Sequence, residues 1–499
     1  MQLLKFFVLL IFCSADIICY GQQPPGIFEQ SADVGEIIKK GSIQFDNINQ
    51  SYTISGSGSN IWFKKDEFYY AWKKLKGDFI LHAQASLKGN GVELHRKLGW
   101  MVRNSLDTNS AMITAAVHGD GLTALQYRKE KNNNVEESKS PDIAPNVIQL
   151  ERKGNRFIMS TAKWGEPFTE VFTEDIDLGD EVYAGIYICS HNTNVLESAV
   201  FENVRIIIPA KENFVPYRDY IGSHIETMDI SSGLRYIIYS ENASLQAPNW
   251  RHDNKHLIYN KRGAIYRLDM DTRAVEQIHT GGILQNNNDH VISFDGKMLG
   301  LSSSSGDKKY GSLVYTVPIN GGIPQQITAT GPSYLHGWSP DGKFLVYTGQ
   351  RDNQFDIYKI PSTGGEEIRL TTAEGLDDGS EYSPDGKYIY FNSVRSGLMQ
   401  LWRMKPDGTD QTQLTFDEYN NWFPHISPDG KWIAFLSFSK DIPPQDHPFY
   451  KRVYLRLMPV SGGKPKVIAY VYGGQATINT PSWSPDSKKI AFISNTGME

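Results

Sequence analysis

The sequence predicts an all-β protein with two domains, a jelly-roll-like β-sandwich followed by a six-bladed β-propeller. Its 499 residues are too many for a single hydrophobic core. The first half alternates short strand-like runs with turn signals and shows no sustained helical period. The second half repeats one phrase at about the 40–45 residue period of a four-stranded propeller blade. These three observations together indicate a sandwich joined to a propeller.

The composition is that of a folded soluble protein and argues against a nucleic-acid partner. Hydrophobic residues make up 40% of the chain and charged residues 21%, with a net charge of −6. No basic stripe is present to neutralise phosphates. Aromatic residues reach 12%, with 26 Tyr and 10 Trp. Aromatic side chains favour strands, and they also offer flat faces to ligands such as sugars.

Residues 1–21 have the pattern of a signal peptide. Lys5 supplies the positive charge, an apolar run follows over residues 6–13, and cleavage is expected near Gly21. The apolar run is shorter than the roughly 20 residues of a membrane span, and no later stretch is long enough. We therefore expect a periplasmic or secreted protein without a transmembrane span. A lipid anchor on Cys13 or Cys19 is the less favoured alternative, because neither follows a small residue.

Residues 25–208 predict the sandwich. Runs such as those at 79–87, 98–105 and 182–192 have strand length and place apolar residues at alternate positions. The stretch 129–145 is polar without alternation, and we expect a solvated loop there. The segment His118-Gly119-Asp120-Gly121 predicts a hairpin turn. Cys189 is expected to be a small buried strand residue.

Residues 209–224 predict the connector between the domains. They contain two prolines and lack a clear apolar period. The propeller is then expected over residues 225–499.

The propeller prediction rests on a repeated phrase, in which Ser-Pro-Asp-Gly-Lys or a close variant precedes an apolar run. Pro-Asp-Gly supplies the tight turn between the first two strands of a blade, since Gly tolerates positive φ and Asp bonds to nearby backbone. Four clear copies and two degraded copies are marked by Trp338, Tyr382, Ile426, Trp483, Trp250 and Ile292. We expect Trp250, Trp338 and Trp483 to pack between blades.

The pattern of the repeats also predicts that the propeller closes into a ring. The last copy stops at Phe492–Ile493 after two strands, and the missing third and fourth strands precede the first copy, at 225–240. A blade shared between the two ends of the domain removes the open edge of the sheet. The sequence therefore predicts six blades, one of them built from both ends.

The repeats resemble a known family. The Ser-Pro-Asp-Gly-Lys phrases and the strand at 401–404 with its turn at 407–409 resemble TolB-like propellers with WD40-like repeats, over about residues 225–499. The phrases at 99–107 and 117–128 resemble concanavalin-like jelly rolls. The combination is similar to exported proteins of the Bacteroidetes type. The wider propeller group includes the Pal-binding periplasmic component of the Tol system and oligogalacturonate lyases, so fold alone does not settle function.

A candidate site lies where the inner strands begin. Aligning the copies places three histidines and one glutamate around one mouth of the channel, here called the top face. Imidazoles from adjacent blades can hold a divalent metal such as Mn²⁺ or Zn²⁺, which predicts His290, His336 and His425 as metal ligands. In the alternative, these histidines only bond to neighbouring backbone and the mouth is filled with water.

The resemblance to oligogalacturonate lyases implies catalytic roles for His425, Glu381 and Arg395. A metal would neutralise a uronate carboxylate and acidify the adjacent proton, which a histidine or arginine would remove. Whether the chain is an enzyme stays open at this point.

Further residues on the top face are expected to bind the ligand. Arg351 and His447 lie in loops between the second and third strands, while Asp378 and Asn421 lie in approaching loops. Trp422 falls outside the frame of the aligned tryptophans and is predicted to be an exposed stacking platform for a sugar.

Two functions fit these observations. The first is an exported envelope protein that binds, or also processes, an acidic oligosaccharide at the top mouth. The second is a non-enzymatic TolB-like module that binds another envelope protein. We expect a monomer in either case. Because the break in the shared blade and the connector both lie on the top face, the sandwich is predicted to sit beside or over the mouth.

Overall fold

The computed structural model describes residues 25–173, 175–215, 217–307 and 309–498. The predicted signal peptide, with Cys13 and Cys19, lies outside these ranges. Within them, no helix combines the length and the apolarity that crossing a bilayer requires.

The first domain is a sandwich of two seven-stranded antiparallel sheets. One sheet has the order β1-β4-β13-β6-β7-β8-β9 and the other the order β12-β11-β10-β5-β14-β3-β2. In chain order the strands are β1 (Gln30–Val34), β2 (Ser42–Asp46), β3 (Ser51–Gly58), β4 (Phe68–Lys76), β5 (Phe79–Leu87), β6 (Lys97–Arg103), β7 (Met112–His118), β8 (Thr123–Arg128), β9 (Glu136–Lys139), β10 (Val147–Lys153), β11 (Arg156–Ala162), β12 (Thr169–Thr173), β13 (Glu181–Cys189) and β14 (Asn192–Ile207).

The core of the sandwich comes from the inward side chains of both sheets. Phe79 on β5 and Trp100 on β6 belong to one buried cluster, together with Phe201 on β14. Alternate residues of a strand point to opposite faces, which is why the apolar alternation of the sequence produces this core. Cys189 is buried, as expected. The stretch 129–145 is not all loop, since edge strand β9 forms within it.

The second domain is a six-bladed propeller. Five sheets have four strands, and the sixth is the shared blade. The strands are β15 (Gly222–Asp229), β16 (Arg235–Glu241), β17 (Leu245–Trp250), β18 (His256–Lys261), β19 (Ala264–Asp269), β20 (Val275–Ile278), β21 (Asn286–Ile292), β22 (Met298–Ser304), β23 (Ser312–Pro318), β24 (Gln325–Gln326), β25 (Ser333–Trp338), β26 (Phe344–Arg351), β27 (Gln354–Pro361), β28 (Ile368–Arg369), β29 (Asp377–Tyr382), β30 (Ile389–Ser396), β31 (Leu398–Met404), β32 (Thr412–Gln413), β33 (Asn420–Ile426), β34 (Trp432–Phe438), β35 (Lys451–Pro459), β36 (Lys466–Gly473) and β37 (Lys489–Thr496).

Blades 1 to 5 begin at β17, β21, β25, β29 and β33, and each ends three strands later. In the shared blade, β37 pairs with β15, which in turn pairs with β16. The inner position of this blade is occupied near Trp483, which forms an isolated bridge with Ile490. The predicted fold, an all-β sandwich with a six-bladed propeller closed by a shared blade, is confirmed.

The repeated phrase forms the turn that the sequence predicts. In blade 3, the Ser339 hydroxyl donates to Asp341 Oδ1 at 2.7 Å and accepts from Phe344 N at 2.9 Å. The aligned tryptophans pack between blades, also as expected. Trp338 Nε1 donates to Val291 O in the preceding blade, and Trp483 Nε1 donates to His425 O, each at 3.0 Å.

The sandwich packs beside the propeller, against the outer strands of blade 5 and of the shared blade. Gly165 O accepts from Val467 N at 2.9 Å, and Trp164 Nε1 donates to Ile468 O at 3.2 Å. The connector, rather than the sandwich, reaches the top face. Its Phe214 ring lies 4.8 Å from the ring of Tyr450, centroid to centroid.

Candidate functional site

A cavity of about 1050 Å³ opens on the top face, at the end of the channel where the inner strands begin. The connector, the entries to the inner strands and the loops between second and third strands all contribute to its wall. The lining residues include Tyr217, Tyr220, Asn242, Gln246, Asn260, Arg262, Gln285, Asn286, Asn287, Asn288, Asp289, Ser312, Tyr334, His336, Thr348, Phe355, Asp378, Phe423, Gln445, His447, Phe449, Gln475 and Asn479.

One side of the cavity is an aromatic wall. Tyr217 and Tyr220, both from the connector, pack edge-on against Phe449 with ring centroids 5.4 and 6.1 Å away. Tyr217 is 68% exposed and Tyr220 45% exposed. These rings therefore present open faces at the entrance.

The floor of the cavity carries a buried charged group. His336 Nε2 lies 3.0 Å from Asp378 Oδ1, and His447 Nε2 lies 4.0 Å from Asp378 Oδ2. Thr348 Oγ1 also donates to Asp378 Oδ1, at 2.6 Å. A carboxylate with this many donors is held in its charged form.

The environment separates the pKa values of the two aspartates of the floor. Burial raises the pKa of Asp289 to about 7, the Asp378 charge adds to this effect, and His336 opposes it. Burial also acts to raise the pKa of Asp378, but the charge and hydrogen bond of His336 outweigh it and lower that pKa to about 2. For His336, burial is outweighed by Asp378 and Asp289, and the pKa is raised.

Three of the residues predicted from the sequence meet at this cavity, namely His336, Asp378 and His447. Burial lowers the pKa of His447, whose ring packs 4.4 Å from the ring of Trp422, centroid to centroid.

His425 and Glu381 meet each other instead of the cavity. His425 Nδ1 lies 2.7 Å from Glu381 Oε2, and Ile426 N donates to Glu381 Oε1 at 3.1 Å. The other ring nitrogen of His425 contacts Ile478 O. Both hydrogen-bonding positions of the ring are thus occupied by protein, and the pair links blades 4 and 5.

The structure does not bring His290, His336 and His425 together as the predicted metal site requires. Nε2 of His290 lies 3.5 Å from Ile258 O, and the other two rings face Asp378 and Glu381. The strand phase explains the difference. His290 and His336 stand two residues before the aligned positions Ile292 and Trp338, whereas His425 stands one residue before Ile426, so its side chain points to the other face. Within the described ranges no set of three metal-binding side chains gathers at the mouth.

The two predicted arginines also turn away from the mouth. Arg351 forms a two-pronged ion pair with Glu367, with both distances 2.7 Å. Arg395 Nη2 pairs with Asp377 Oδ2 at 2.6 Å. Arginine geometry suits such carboxylate pairs, so acidic partners within the same blade fix both side chains. Arg395 is therefore not placed with His425 and Glu381.

Trp422 and Asn421 are interior residues. Trp422 is 0% exposed and belongs to the core of blade 5, so the prediction of an exposed stacking platform is wrong. Asn421 Oδ1 accepts from Ser437 Oγ at 2.7 Å, also away from solvent. Both lie on β33, which extends further toward the top face than the aligned phrase indicates.

Several lining residues were missed. Asp289 follows the run of amides at 285–288. This polar run before an apolar strand indicates the site, but the sequence does not show that Asp289 is buried. Tyr217 and Tyr220 lie in the connector, which carries no repeat to align. Their role follows only from the path of the connector across the top face.

One group of potential metal ligands does occur in the described part of the chain, and it lies in the sandwich. One ligand atom each from His95, His118 and Asp120 lies within 4.8 Å of the other two.

Comparison with known proteins identifies the propeller. The family model described as the TolB beta propeller domain matches residues 336–447. The uncharacterized protein Atu1656 of Agrobacterium fabrum is 42% identical over 272 residues, which cover 54% of this chain and 92% of that protein.

A solved structure agrees with this match. A TolB candidate from Agrobacterium tumefaciens is 40% identical with a TM-score of 0.54, covering 56% of this chain and 100% of the other. TolB from Acinetobacter baumannii is 16% identical with a TM-score of 0.40, covering 65% and 79%. The identities of 42% and 40% to the two Agrobacterium proteins, over nearly their full lengths, show that the chain belongs to the family of TolB-like β-propeller proteins.

Proposed function

We propose that this protein binds a neutral oligosaccharide in the cavity on the top face of the propeller. The observation that carries the proposal is the character of the wall. Ten side-chain amides and an open aromatic wall line the cavity, against one arginine and two aspartates. Amides both donate and accept hydrogen bonds, as sugar hydroxyls do, and aromatic rings pack against the apolar faces of sugars.

Unpartnered buried polar atoms support a polar ligand. Asn286 Oδ1 and Asn288 Nδ2 are buried beside the cavity and have no hydrogen-bond partner within the protein. Buried polar groups are normally paired, so these atoms require water or a ligand. The cavity lies at the upper end of the usual range for ligand sites, about 300–1,000 Å³, which suits several sugar units better than one.

The wall favours a neutral sugar over the acidic one expected from the sequence. The resemblance implied a catalytic role for Arg395, and Arg351 was expected to bind the ligand, but both pair with carboxylates of their own blades. Arg262 alone remains among the lining residues, opposite Asp289 and Asp378. We propose binding without turnover, because neither His425 nor Arg395 lines the cavity. The predicted signal peptide would place this binding in the periplasm or outside the cell, by a monomer.

Calorimetric titration tests the proposal. The full chain is titrated with uncharged cello-, xylo- and manno-oligosaccharides and, in parallel, with oligogalacturonate. We expect at least one neutral series to bind with a Kd of about 1 mM or tighter and to bind more tightly than the uronate. Tyr217→Ala should weaken binding roughly tenfold, since it removes an exposed ring of the entrance.

Phe416→Ala is the matched control, since Phe416 is an exposed ring that does not line the cavity. Its binding should equal that of the unsubstituted protein. Absence of any saccharide binding would remove the proposal and favour the envelope-protein partner instead. Tighter binding of oligogalacturonate would restore the acidic preference.

A further inference from the structure

Three histidines and an aspartate lie together at one end of the sandwich. His118 ends β7, and Asp120 lies in the hairpin turn that follows. His95 precedes β6, and His191 occupies the turn between β13 and β14. The ring centroid of His95 lies 5.9 Å from that of His118 and 5.6 Å from that of His191.

Backbone hydrogen bonds hold His95 beside the turn. Gly119 N donates to Arg96 O at 2.7 Å, and Asp120 N donates to Leu94 O at 2.9 Å. The two bonds flank His95, so its side chain is placed opposite both His118 and Asp120. The distance from His95 Nδ1 to Asp120 Oδ2 is 3.8 Å.

The surrounding structure makes this placement firm. Arg96 is buried, and its Nη1 donates to Glu197 Oε2 at 2.5 Å and to Lys88 O at 3.1 Å. His191 adopts a φ of 59°, a left-handed conformation that residues other than glycine seldom take. The surrounding structure holds this backbone conformation, which fixes the direction of the His191 side chain.

Two ring nitrogens of this cluster are buried without a partner. His118 is 5% exposed, and its Nδ1 has no hydrogen bond, although Gln126 Nε2 lies 3.3 Å from its Nε2. Nδ1 of His191 is also buried and unpartnered. Buried ring nitrogens normally find a partner, so their arrangement leaves one to be supplied from outside the chain.

We propose that His95, His118 and Asp120 bind a Zn²⁺ ion. Imidazole nitrogen and carboxylate oxygen are ligands that Zn²⁺ takes in proteins, and three protein ligands leave a fourth position for water or another side chain. The side chain of His95 is 56% exposed, which gives the ion a path from solvent. His191 packs on His95 and fills the far side of the cluster.

The spacing is compatible with binding after a small adjustment. Zinc bonds of about 2.0–2.1 Å in a tetrahedron separate the ligand atoms by about 3.4 Å. The three ligand atoms now lie within 4.8 Å, and rotation of the exposed His95 side chain can close the difference. Two cations lie near the cluster. Arg96 packs against Gly119 and is paired with Glu197, and the buried Nζ of Lys97 donates to Asn60 Oδ1 at 3.3 Å.

The experiment is a Zn²⁺ titration of the full chain after removal of metal with EDTA, followed by calorimetry. We expect one site with a Kd of about 1 µM or tighter. Replacing Zn²⁺ by Co²⁺ should give the intense visible absorption of a tetrahedral site. His118→Ala and Asp120→Asn should each weaken binding more than roughly tenfold.

His279→Ala and His252→Ala are the controls, because both are exposed propeller histidines outside the cluster. Both variants should bind Zn²⁺ as the unsubstituted protein does. Asp120→Asn guards against misfolding, since this partly exposed turn residue should leave the circular dichroism unchanged. The proposal is overturned if the protein binds no Zn²⁺ at 1 mM, about a thousandfold above the expected Kd. Unchanged affinity in both His118→Ala and Asp120→Asn overturns it equally.

Discussion

The mouth of the propeller is sensitive to pH because three ionisable side chains interact there, namely Asp289, His336 and Asp378. Asp378 keeps its charge because His336 contacts it, whereas Asp289 is buried and has its pKa raised to about 7. The same burial therefore acts on two aspartates with opposite outcomes, and the position of one imidazole decides which is ionised. Near neutral pH, Asp289 changes protonation state while Asp378 does not.

The free energy of unfolding should change with pH as Asp289 titrates. Its pKa is raised from 3.8, so the folded state holds a proton that the unfolded chain releases, and stability falls as the pH rises from about 4 to about 7. Asp289→Asn removes this cost. We expect the variant to be more stable than the parent at pH 8, by at most roughly 4 kcal/mol, with little difference at pH 4.

Urea unfolding followed by tryptophan fluorescence at pH 4 and pH 8 measures this difference. Asp271→Asn serves as the control, because Asp271 is an exposed aspartate. A gain for Asp289→Asn that is equal at both pH values would show that the cost does not come from ionisation.

Among the elements, the inner strands carry contacts that hold neighbouring blades in register. Glu381 on β29 receives Ile426 N and the His425 ring, both on β33. This buried pair joins the inner strands of blades 4 and 5 through ionisable side chains. Neither residue lines the cavity, which indicates a structural role.

Glu381→Ala should therefore destabilise the propeller without changing the cavity. Loss of the carboxylate leaves Ile426 N and His425 Nδ1 without their partner, which costs about 2–4 kcal/mol. Thermal unfolding measures the effect, and saccharide binding should be retained below the lowered Tm. Glu366→Ala, at an exposed glutamate, should leave the Tm unchanged. A normal Tm for Glu381→Ala would refute the role of the pair.

The elements also show what the sequence can and cannot predict. The turns at 339–342 and their equivalents form by local hydrogen bonds, such as that from Ser339 to Asp341. Contacts this local can be predicted from a repeated sequence. Side-chain direction at the mouth is not local. Arg351 turns toward Glu367 on the outer part of its blade. The residues near Arg351 in the sequence do not predict this partner. The phase of each inner strand shifts at a bulge, as between Trp422 and His425, which a linear alignment cannot register.

Across the whole molecule, the two domains are joined through a buried ionic group. Arg205 of the sandwich and Arg235 of the shared blade both contact Glu226, at 2.6 and 2.7 Å. Burial opposes ionisation of Glu226, but the two guanidinium groups outweigh it and lower its pKa. Asn203 adds a neutral bridge, since its Nδ2 donates to Gly233 O at 2.8 Å. The sandwich is thus fixed to the propeller rather than tethered by the connector alone.

Glu226→Ala should uncouple the domains. Removing the carboxylate leaves two arginines buried without a counter-charge, a loss of about 3–5 kcal/mol at the interface. Differential scanning calorimetry should then resolve two transitions in the variant where the parent shows one. Glu212→Ala is a suitable control, because Glu212 lies in the connector with its side chain 87% exposed. One unchanged transition in Glu226→Ala would mean that other contacts suffice to couple the domains.

The pairing of β37 with β15 also fixes the order in which the protein can be completed. The sandwich and β15 leave the ribosome before β37, which follows β15 by more than 250 residues. Until β37 arrives, β15 presents an unpaired strand edge of the kind that recruits other chains. A translation product that stops short of Lys489 therefore keeps its ring open, and such fragments should be bound by chaperones or degraded even when every preceding blade is intact.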